Sequence, residues 1–247
     1  MSEKEKIREM FDSIAPEYDH FNHLTSLGID RSWRRRALRW IDGPQVLDVA
    51  CGTGDFAIAI AQKRHCGVVA IDISEGMLAE MRRKLEAEKL ERRITCEVGD
   101  CAALRFRESS FDNVTVAFGV RNFEDRSACM AEILRVLRPG GKFVMLELGV
   151  PGWKPVRKIY NWYFKRVMPL IGGRMSGNFD AYRYLPASVQ AFPGRKEWCA
   201  FLKGCGFVDV KHRAYNFGIC RLYVGTTGLA AWRLSSLTSR RFLIQKR

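Results

Sequence analysis

From Gln45 onward, short apolar runs alternate with longer stretches of helical period. The runs fall at 45–50, 67–72, 93–98, 112–118 and 141–148, then at 207–215 and 218–225. Their lengths and their β-branched and aromatic content predict seven strands. Helices are predicted between them at 55–64, 75–89, 126–137 and 195–204. Ser74 is placed to cap the second of these, and Pro139-Gly140-Gly141 predicts a stop before the fifth strand. This alternation predicts an α/β, doubly wound fold with a mostly parallel seven-stranded sheet. The last two runs are separated only by Asn216-Phe217, too little chain for a crossover. They are expected to pair as a hairpin, so that an antiparallel seventh strand ends the sheet.

Upstream of Gln45 two helices are expected, near 2–13 and 22–41, the second rich in Arg and Trp (Trp33, Arg34, Arg35, Arg36, Trp40). Residues 151–192 do not follow the alternation and are expected to form an inserted cap. The organisation expected is one domain over 1–226, with N-terminal helices over 1–44 and a tail over 227–247. That tail has no acid and two apolar clusters, which fits either an interfacial helix or an appendage.

The chain has 247 residues, 47% of them apolar, enough for one sizeable core. It contains no apolar stretch of about 18 residues, so no transmembrane helix is expected. Its first residues, MSEKEKIREM, lack the apolar centre of a secretory signal, so the cytosol is the expected compartment. Eight cysteines form no CxxC pair and no zinc-spaced cluster with histidine, so they are expected to be small core residues and no metal site is predicted. Net charge is +14, and the excess sits in residues 151–247, with 18 Lys/Arg against 3 Asp/Glu. An anionic surface, membrane or nucleic acid, is the partner this asymmetry suggests.

The chemistry is concentrated in VLDVACGTGDFA, residues 46–57. A strand ends at Ala50, Gly52 and Gly54 allow a tight turn, and a helix begins near Asp55. In an open α/β sheet such a turn lies at the edge where ligands bind. Gly52-x-Gly54-x-x-Ala57, with Asp72 twenty residues after Gly52, also satisfies a dinucleotide fingerprint. Asp55 argues against that reading, because a carboxylate in the first helical turn repels a pyrophosphate there. S-adenosylmethionine suits these charges better, having a sulfonium and an ammonium but no phosphate. Asp48 is expected to favour its cationic end, and backbone N–H groups around Gly52–Gly54 its carboxylate. Asp72 is expected to accept from the ribose hydroxyls, and Asp100 to meet the adenine together with the backbone of Cys101.

The chain resembles the demethylmenaquinone and ubiquinone C-methyltransferase family from about residue 7 to 226. The resemblance is carried by MFDSIAPEYDHFNHLTSLGIDRSWRR (10–35), VLDVACGTGD (46–55), IDISEGML (71–78), VTVAFGVRNFED (114–125), EILRVLRPGG (132–141) and YRYLPASV (182–189). It implies a Rossmann-like class I methyltransferase fold with a helical lid. It also implies adenosylmethionine contacts at Thr53, Asp72, Asp100 and Cys101, with Ala117 lining the cofactor; Thr53 and Ala117 follow from the resemblance alone. The implied reaction is C-methylation of a polyprenylated quinol, with demethylmenaquinol preferred and a ubiquinone precursor as the alternative. A deprotonated quinol has a nucleophilic ring carbon, whereas the oxidised quinone is an electrophile.

Arg121 and Asn122, just past the fourth strand, are the candidates to stabilise that phenolate. Arg121 is assigned to electrostatics because a guanidinium stays protonated; the competing role is an ion pair with Glu124 or Asp125. Tyr18, Tyr182, Arg183 and Tyr184 are candidates for the substrate pocket. His20, His23 or water would take the proton. Over 153–170, an apolar stripe of Val156, Ile159, Tyr163, Val167 and Leu170 is expected opposite Arg157, Lys158, Asn161 and Lys165. Such a helix suits either a membrane interface, where a long isoprenoid tail would be met, or packing on the sheet. A nucleic-acid methyltransferase would carry an Asn/Asp-Pro-Pro-aromatic motif after the fourth strand or a Pro-Cys pair. The sequence has neither, so no nucleic-acid partner is expected. A non-enzymatic membrane module would leave the acids at the strand ends idle, and self-association is left open.

Overall fold

A computed structural model describes residues 2–176 and 179–228; the tail from 229 on, expected as an interfacial helix or an appendage, lies outside them. Seven strands form one sheet: β1 (Gln45–Val49), β2 (Gly67–Asp72), β3 (Ile94–Val98), β4 (Phe111–Ala117), β5 (Leu137–Leu148), β6 (Phe207–Tyr215) and β7 (Cys220–Thr227). Their order is β3-β2-β1-β4-β5-β7-β6, and β7 runs antiparallel to both of its neighbours. The antiparallel strand is the one expected, but it is inserted between β5 and β6, so β6 forms the edge. Chain order reverses between β1 and β4, so the loops leaving these strands diverge and open a crevice at their carboxyl ends.

The helices that follow are α1 (Glu3–Thr25), α2 (Ile29–Ala37), α3 (Asp55–Lys63), α4 (Glu75–Glu88), α5 (Arg126–Val136), α6 (Lys154–Trp162), α7 (Met168–Ser176), α8 (Phe179–Ala191) and α9 (Arg195–Gly204). One face of the sheet packs Val46, Ala70, Leu146 and Val224 with residues of α2, α3 and α4. The other packs Leu47, Val114, Phe143 and Met145 with residues of α5 and α9, among them the buried Trp198. A third cluster joins α1 to the cap through Ile14, Phe21, Tyr160, Phe164 and Tyr182.

The N-terminal helices divide differently from expectation. α1 runs through Pro16 without ending, beginning at a Ser2/Glu5 capping box and burying Ile7, Ile14, Ala15 and Phe21. That burial offsets the one backbone bond lost at Pro16. The break comes instead at Leu27 and Gly28, both at positive φ (52° and 71°), which aims α2 back across the sheet. Pro139-Gly140-Gly141 does not precede β5 either. The strand begins at Leu137, paired with Phe111, and its register resumes at Lys142 opposite Asn113, so the Pro-Gly-Gly segment bulges out of the ladder.

The cap helix also differs. α6 and α7 are continuous through a widened π-type turn, Tyr163–Val167. Pro169 has no N–H for the carbonyl four residues back, which accounts for the wider turn. The buried face of this helix is Tyr160, Phe164 and Met168 rather than the stripe through Ile159 and Leu170. Ile159 is 68% exposed and Trp162 63% exposed.

Candidate functional site

The crevice between the ends of β1 and β4 is lined by the glycine loop, the ends of β2 and β3, the segment after β4, and one face of α1. Lys4, Ile7, Phe11 and Tyr18 recur along α1 at helical spacing and roof the crevice. Two glycines make this geometry. Gly54 has φ 84°, and a Cβ on it would lie 2.6 Å from the Met81 side chain. At Gly119 a Cβ would lie 2.7 Å from that of Ala50, so only glycine lets the two diverging loops meet.

Every expected cofactor residue except Gly54 lines the crevice, and Gly54 lies in its loop. Asp72, at the end of β2, accepts from the Gly52 N–H (2.8 Å) and the Ser74 N–H (2.9 Å). Burial raises its pKa, and these backbone bonds act the other way. Asp100, after β3, accepts from the Ala102 N–H (2.9 Å) and pairs with Lys4 of α1 (2.9 Å). Burial would raise its carboxyl, but the Lys4 hydrogen bond, the Ala102 N–H and the Lys4 charge hold it below its usual range. Thr53 is buried and donates to Asp19 Oδ1 at 2.5 Å. The Cys101 thiol lies 3.9 Å from the Cys129 carbonyl, and burial pushes it well up.

Asp48 is 1% exposed in the middle of β1. Its Oδ1 accepts from the Thr115 hydroxyl at 2.5 Å, and its Oδ2 has no hydrogen-bond partner among the described residues. Burial pushes this carboxyl up to about 7, against the Thr115 hydroxyl, the Arg34 charge and the Ala57 N–H. The unpartnered oxygen is an open acceptor for a cation. Since the folded value lies above the ordinary 3.8, the native protein holds an extra proton between 3.8 and about 7. Stability of the ligand-free protein should therefore fall as pH rises through that window. If the ammonium of S-adenosylmethionine meets this carboxylate, as expected from the sequence, its affinity should rise about tenfold between pH 6 and 8. Denaturant unfolding would measure the first slope and titration calorimetry the second, and Asp48→Asn should flatten both.

Two of the loop N–H groups expected to meet a carboxylate already have partners: Gly52 N–H is held by Asp72 (2.8 Å), and Gly54 N–H donates to the Cys51 carbonyl (3.0 Å). Both bonds also weaken the loop as a cradle for a pyrophosphate. Asp55 carries less of that argument than expected, because Lys84 and Arg34 stand beside it together with the His23 ring. Lys84 lies at 2.5 Å, His23 at 3.5 Å and Arg34 at 3.6 Å. Burial would raise the Asp55 carboxyl, yet Arg34 and Lys84 hold it below its usual range.

These contacts belong to a network that fastens α1 and α2 to the glycine loop. Asp19 bridges Thr53 and Lys84 (2.8 Å), and Asp30 accepts from Ser26 (2.7 Å), His23 (3.0 Å) and Arg34. His23, Asp30 and Asp55 converge closely enough to suit a metal ion, but Arg34 already supplies the positive charge between the two acids. Asp12, one helical face along from Asp19, accepts from Ser74 Oγ (2.6 Å) and the Gly76 N–H (2.9 Å), bracing the start of α4. The motif FDSIAPEYD thus places two acids seven residues apart on one side of α1. That spacing is a signal the sequence itself carries.

On the acceptor side, Asn122 lines the crevice and its Oδ1 accepts from the Tyr184 hydroxyl of α8 at 3.1 Å. Tyr18 lines it as well. Arg121 does not line it: its guanidinium is buried against Glu147 of β5 (2.9 Å) and the Phe118 carbonyl, and its own N–H donates to Glu147 Oε2 (3.0 Å). Its partner is therefore Glu147 and neither Glu124 nor Asp125; Asp125 instead caps α5. Glu147, an acid inside the apolar run FVMLEL, was a legible signal. Burial raises the pKa of Tyr18, Tyr160 and Tyr184, and the Arg121 charge opposes it at all three. Tyr182 is 3% exposed and packs on Phe21 (4.2 Å), while Arg183 faces outward, so neither reaches the crevice. His20 is exposed on α1, and His23 is held between two carboxylates.

Residues 1–227 match the ubiE/COQ5 methyltransferase family. The chain is 48% identical over 230 residues to the ubiquinone/menaquinone biosynthesis C-methyltransferase UbiE of Geobacter sulfurreducens, covering 91% of this chain and 90% of the relative. It is 44% identical over 220 residues to the demethylmenaquinone methyltransferase of Thermus thermophilus, covering 87% and 99%. Among solved structures, a Thermotoga maritima SAM-dependent methyltransferase shares the fold with a TM-score of 0.63 at 15% identity, covering 89% of this chain and 98% of that one. A phosphoethanolamine N-methyltransferase of Haemonchus contortus, solved with S-adenosyl-L-methionine, aligns with a TM-score of 0.57 at 16% identity. That alignment covers 80% of this chain and 52% of the longer one.

Proposed function

Since the chain belongs to the ubiE/COQ5 methyltransferase family and uses S-adenosylmethionine, we propose that it C-methylates a polyprenylated quinol, demethylmenaquinol in the first place. The observation that carries this reading is a crevice whose acids suit the cationic donor and whose wall after β4 holds Asn122, hydrogen-bonded to Tyr184. Behind that wall lies the buried Arg121–Glu147 pair, and its arginine end is the one that would favour a phenolate in a water-poor setting.

S-adenosylmethionine supplies an electrophilic methyl group on a cationic sulfur. In this reading Asp72 and Asp100 hold its nucleoside, Asp48 faces its ammonium, and Gly52, Thr53, Cys101 and Ala117 shape the wall. Asn122, steadied by Tyr184, orients the acceptor ring, and Tyr18 closes the roof over it. Arg121 favours the deprotonated acceptor without touching it, fixed in place by Glu147. Positioning and electrostatics are the whole of the protein's contribution, and neither needs a covalent intermediate.

Labelled S-adenosylmethionine supplied with demethylmenaquinol, its oxidised quinone, a ubiquinone-precursor quinol and tRNA tests the reading. Label should enter demethylmenaquinol and be absent from the quinone and the tRNA. Label in tRNA alone would sink the quinol reading, and label in the ubiquinone precursor alone would move the assignment to the other branch of the family.

Contact with an anionic membrane surface belongs to the same proposal. No helix among the described residues is long and apolar enough to cross a membrane. Trp153, just before α6, and Ile159, Trp162 and Leu170 on α6 and α7 are exposed beside the exposed Arg157, Lys158, Lys165 and Arg166. Phe217, in the β6–β7 turn, lies against Trp153 (5.7 Å) and extends the exposed aromatic surface. Aromatic side chains among basic ones suit a lipid headgroup boundary. Flotation with anionic vesicles should recover the protein at low salt, and Ile159→Asp with Trp162→Ala should leave it in solution. Equal recovery of the variant would remove this face from the proposal.

A further inference from the structure

The methionine carboxylate of the donor still lacks a charged partner, and of the glycine-loop N–H groups expected to meet it, that of Gly52 is held by Asp72 and that of Gly54 by the Cys51 carbonyl. Two cationic side chains line the crevice among the described residues, Lys4 and Arg34. Lys4 pairs with Asp100 after β3. Arg34, from α2, lies at the opposite end. Its guanidinium carbon is 5.3 Å from the centroid of the Phe118 ring, which follows β4, and its charge acts on Asp48 of β1.

The order of acids across the sheet fixes which end is which. Asp100 after β3 and Asp72 at the end of β2 stand where a nucleoside lies, so the amino-acid end falls beside β1 and β4. There Asp48 Oδ2 is a buried acceptor without a partner, and Arg34 Nε is a buried donor without one, among the described residues. Leaving such a donor unpaired is unfavourable. The remaining guanidinium contacts account for Nη1, held by Asp30, and Nη2, 3.6 Å from Asp55 Oδ2. Asp55 is itself shared with Lys84 and His23, so Arg34 is not neutralised by that acid alone.

We infer that Arg34 receives the α-carboxylate of S-adenosylmethionine while Asp48 receives its α-ammonium, so that the two residues together read the zwitterion. The inference concerns the donor alone and holds whichever acceptor is methylated. It gives a purpose to one arginine of the RSWRRR segment, a run whose other arginines face outward or to neighbouring rings. It also makes α2 part of the cofactor site, so that the network through Asp30, Asp55 and Lys84 sets the guanidinium in place.

Titration calorimetry on the full chain separates this from a merely structural role. The probes are S-adenosylmethionine, its decarboxylated form, and 5′-methylthioadenosine, which lacks both the carboxylate and the ammonium. The unaltered protein should bind S-adenosylmethionine about 30-fold more tightly than the decarboxylated compound, as a charge-assisted bond would give. In Arg34→Gln that ratio should shrink to about threefold or less, while 5′-methylthioadenosine binds both proteins alike and shows that the site is folded. Should Arg34→Gln fail to bind 5′-methylthioadenosine, Arg34→Lys serves instead, with an intermediate ratio expected. A protein that binds the two sulfonium compounds equally, or a variant that keeps the full ratio, overturns the assignment.

Discussion

Replacing Asp72 with alanine is expected to abolish measurable S-adenosylmethionine binding, a loss of at least about 100-fold. Two effects combine. The ribose loses its carboxylate acceptor, and the loop loses the group that orders it, since Asp72 holds both the Gly52 N–H and the Ser74 N–H. Each buried N–H left without an acceptor costs about 1–3 kcal/mol, so the melting temperature should also drop. Asp72→Asn keeps an oxygen for one of these N–H groups and should be the milder variant. Calorimetric affinity close to that of the unaltered protein in Asp72→Ala would remove this carboxylate from the cofactor site.

The second large effect is expected at Arg121. Its guanidinium and Glu147 form a pair in which both side chains are almost wholly buried. Arg121→Ala leaves the Glu147 carboxylate without its counter-charge and should cost about 3–5 kcal/mol of stability as well as turnover. Replacing both partners, Arg121→Met with Glu147→Leu, should restore part of the stability, because an apolar pair of similar volume carries no desolvation penalty, while the N–H groups of positions 121 and 148 lose the Glu147 acceptor. Turnover should stay low in the double variant, because the positive field over Tyr18, Tyr160 and Tyr184 is gone. Denaturant unfolding and single-turnover methylation, measured together, separate the two roles. A double variant that is both stable and fully active would show that Arg121 is only a structural partner of Glu147.

The sheet was largely legible from local pattern. β2 and β6 occupy the spans expected for them, as does α9, because β-branched runs and flanking Gly or Pro set those boundaries without help from distant contacts. Where long-range contacts outweigh local preference, the reading slipped. Pro16 predicts an end to α1 that burial of Ile14, Ala15 and Phe21 overrides. The outward turn of Ile159 follows from Tyr160, Phe164 and Met168 filling the space beneath the cap, which no periodicity within α6 reveals.

The site divides along the same line. Asp72 and Asp100 were legible because strand ends in a parallel sheet share one edge. Asn122 and Tyr184 were named separately, and the fold brings them within a hydrogen bond. Arg34 was not legible as a ligand-facing residue. Its setting depends on α2, α3, β1 and the end of β4 converging, and four neighbouring basic residues on one short helix look alike in sequence. Tyr182 and Arg183 were chosen with Tyr184 from one motif, but successive positions on a helix point about 100° apart. Only the third faces Asn122.

The position of β7 has a consequence for synthesis. This strand follows β1–β6 along the chain, yet it stands between β5 and β6. While the ribosome is still translating the region before Cys220, β6 has no ladder to join, and the far side of β5 stays open. The nascent chain can therefore assemble the glycine loop and the ends of β1 and β4 early, but α9 and β6 must wait for β7 to slide into the gap. Chains released before that point would expose two strand edges at once, the feature that most readily invites aggregation. A strand far from the chemistry thus decides whether the enzyme survives its own production.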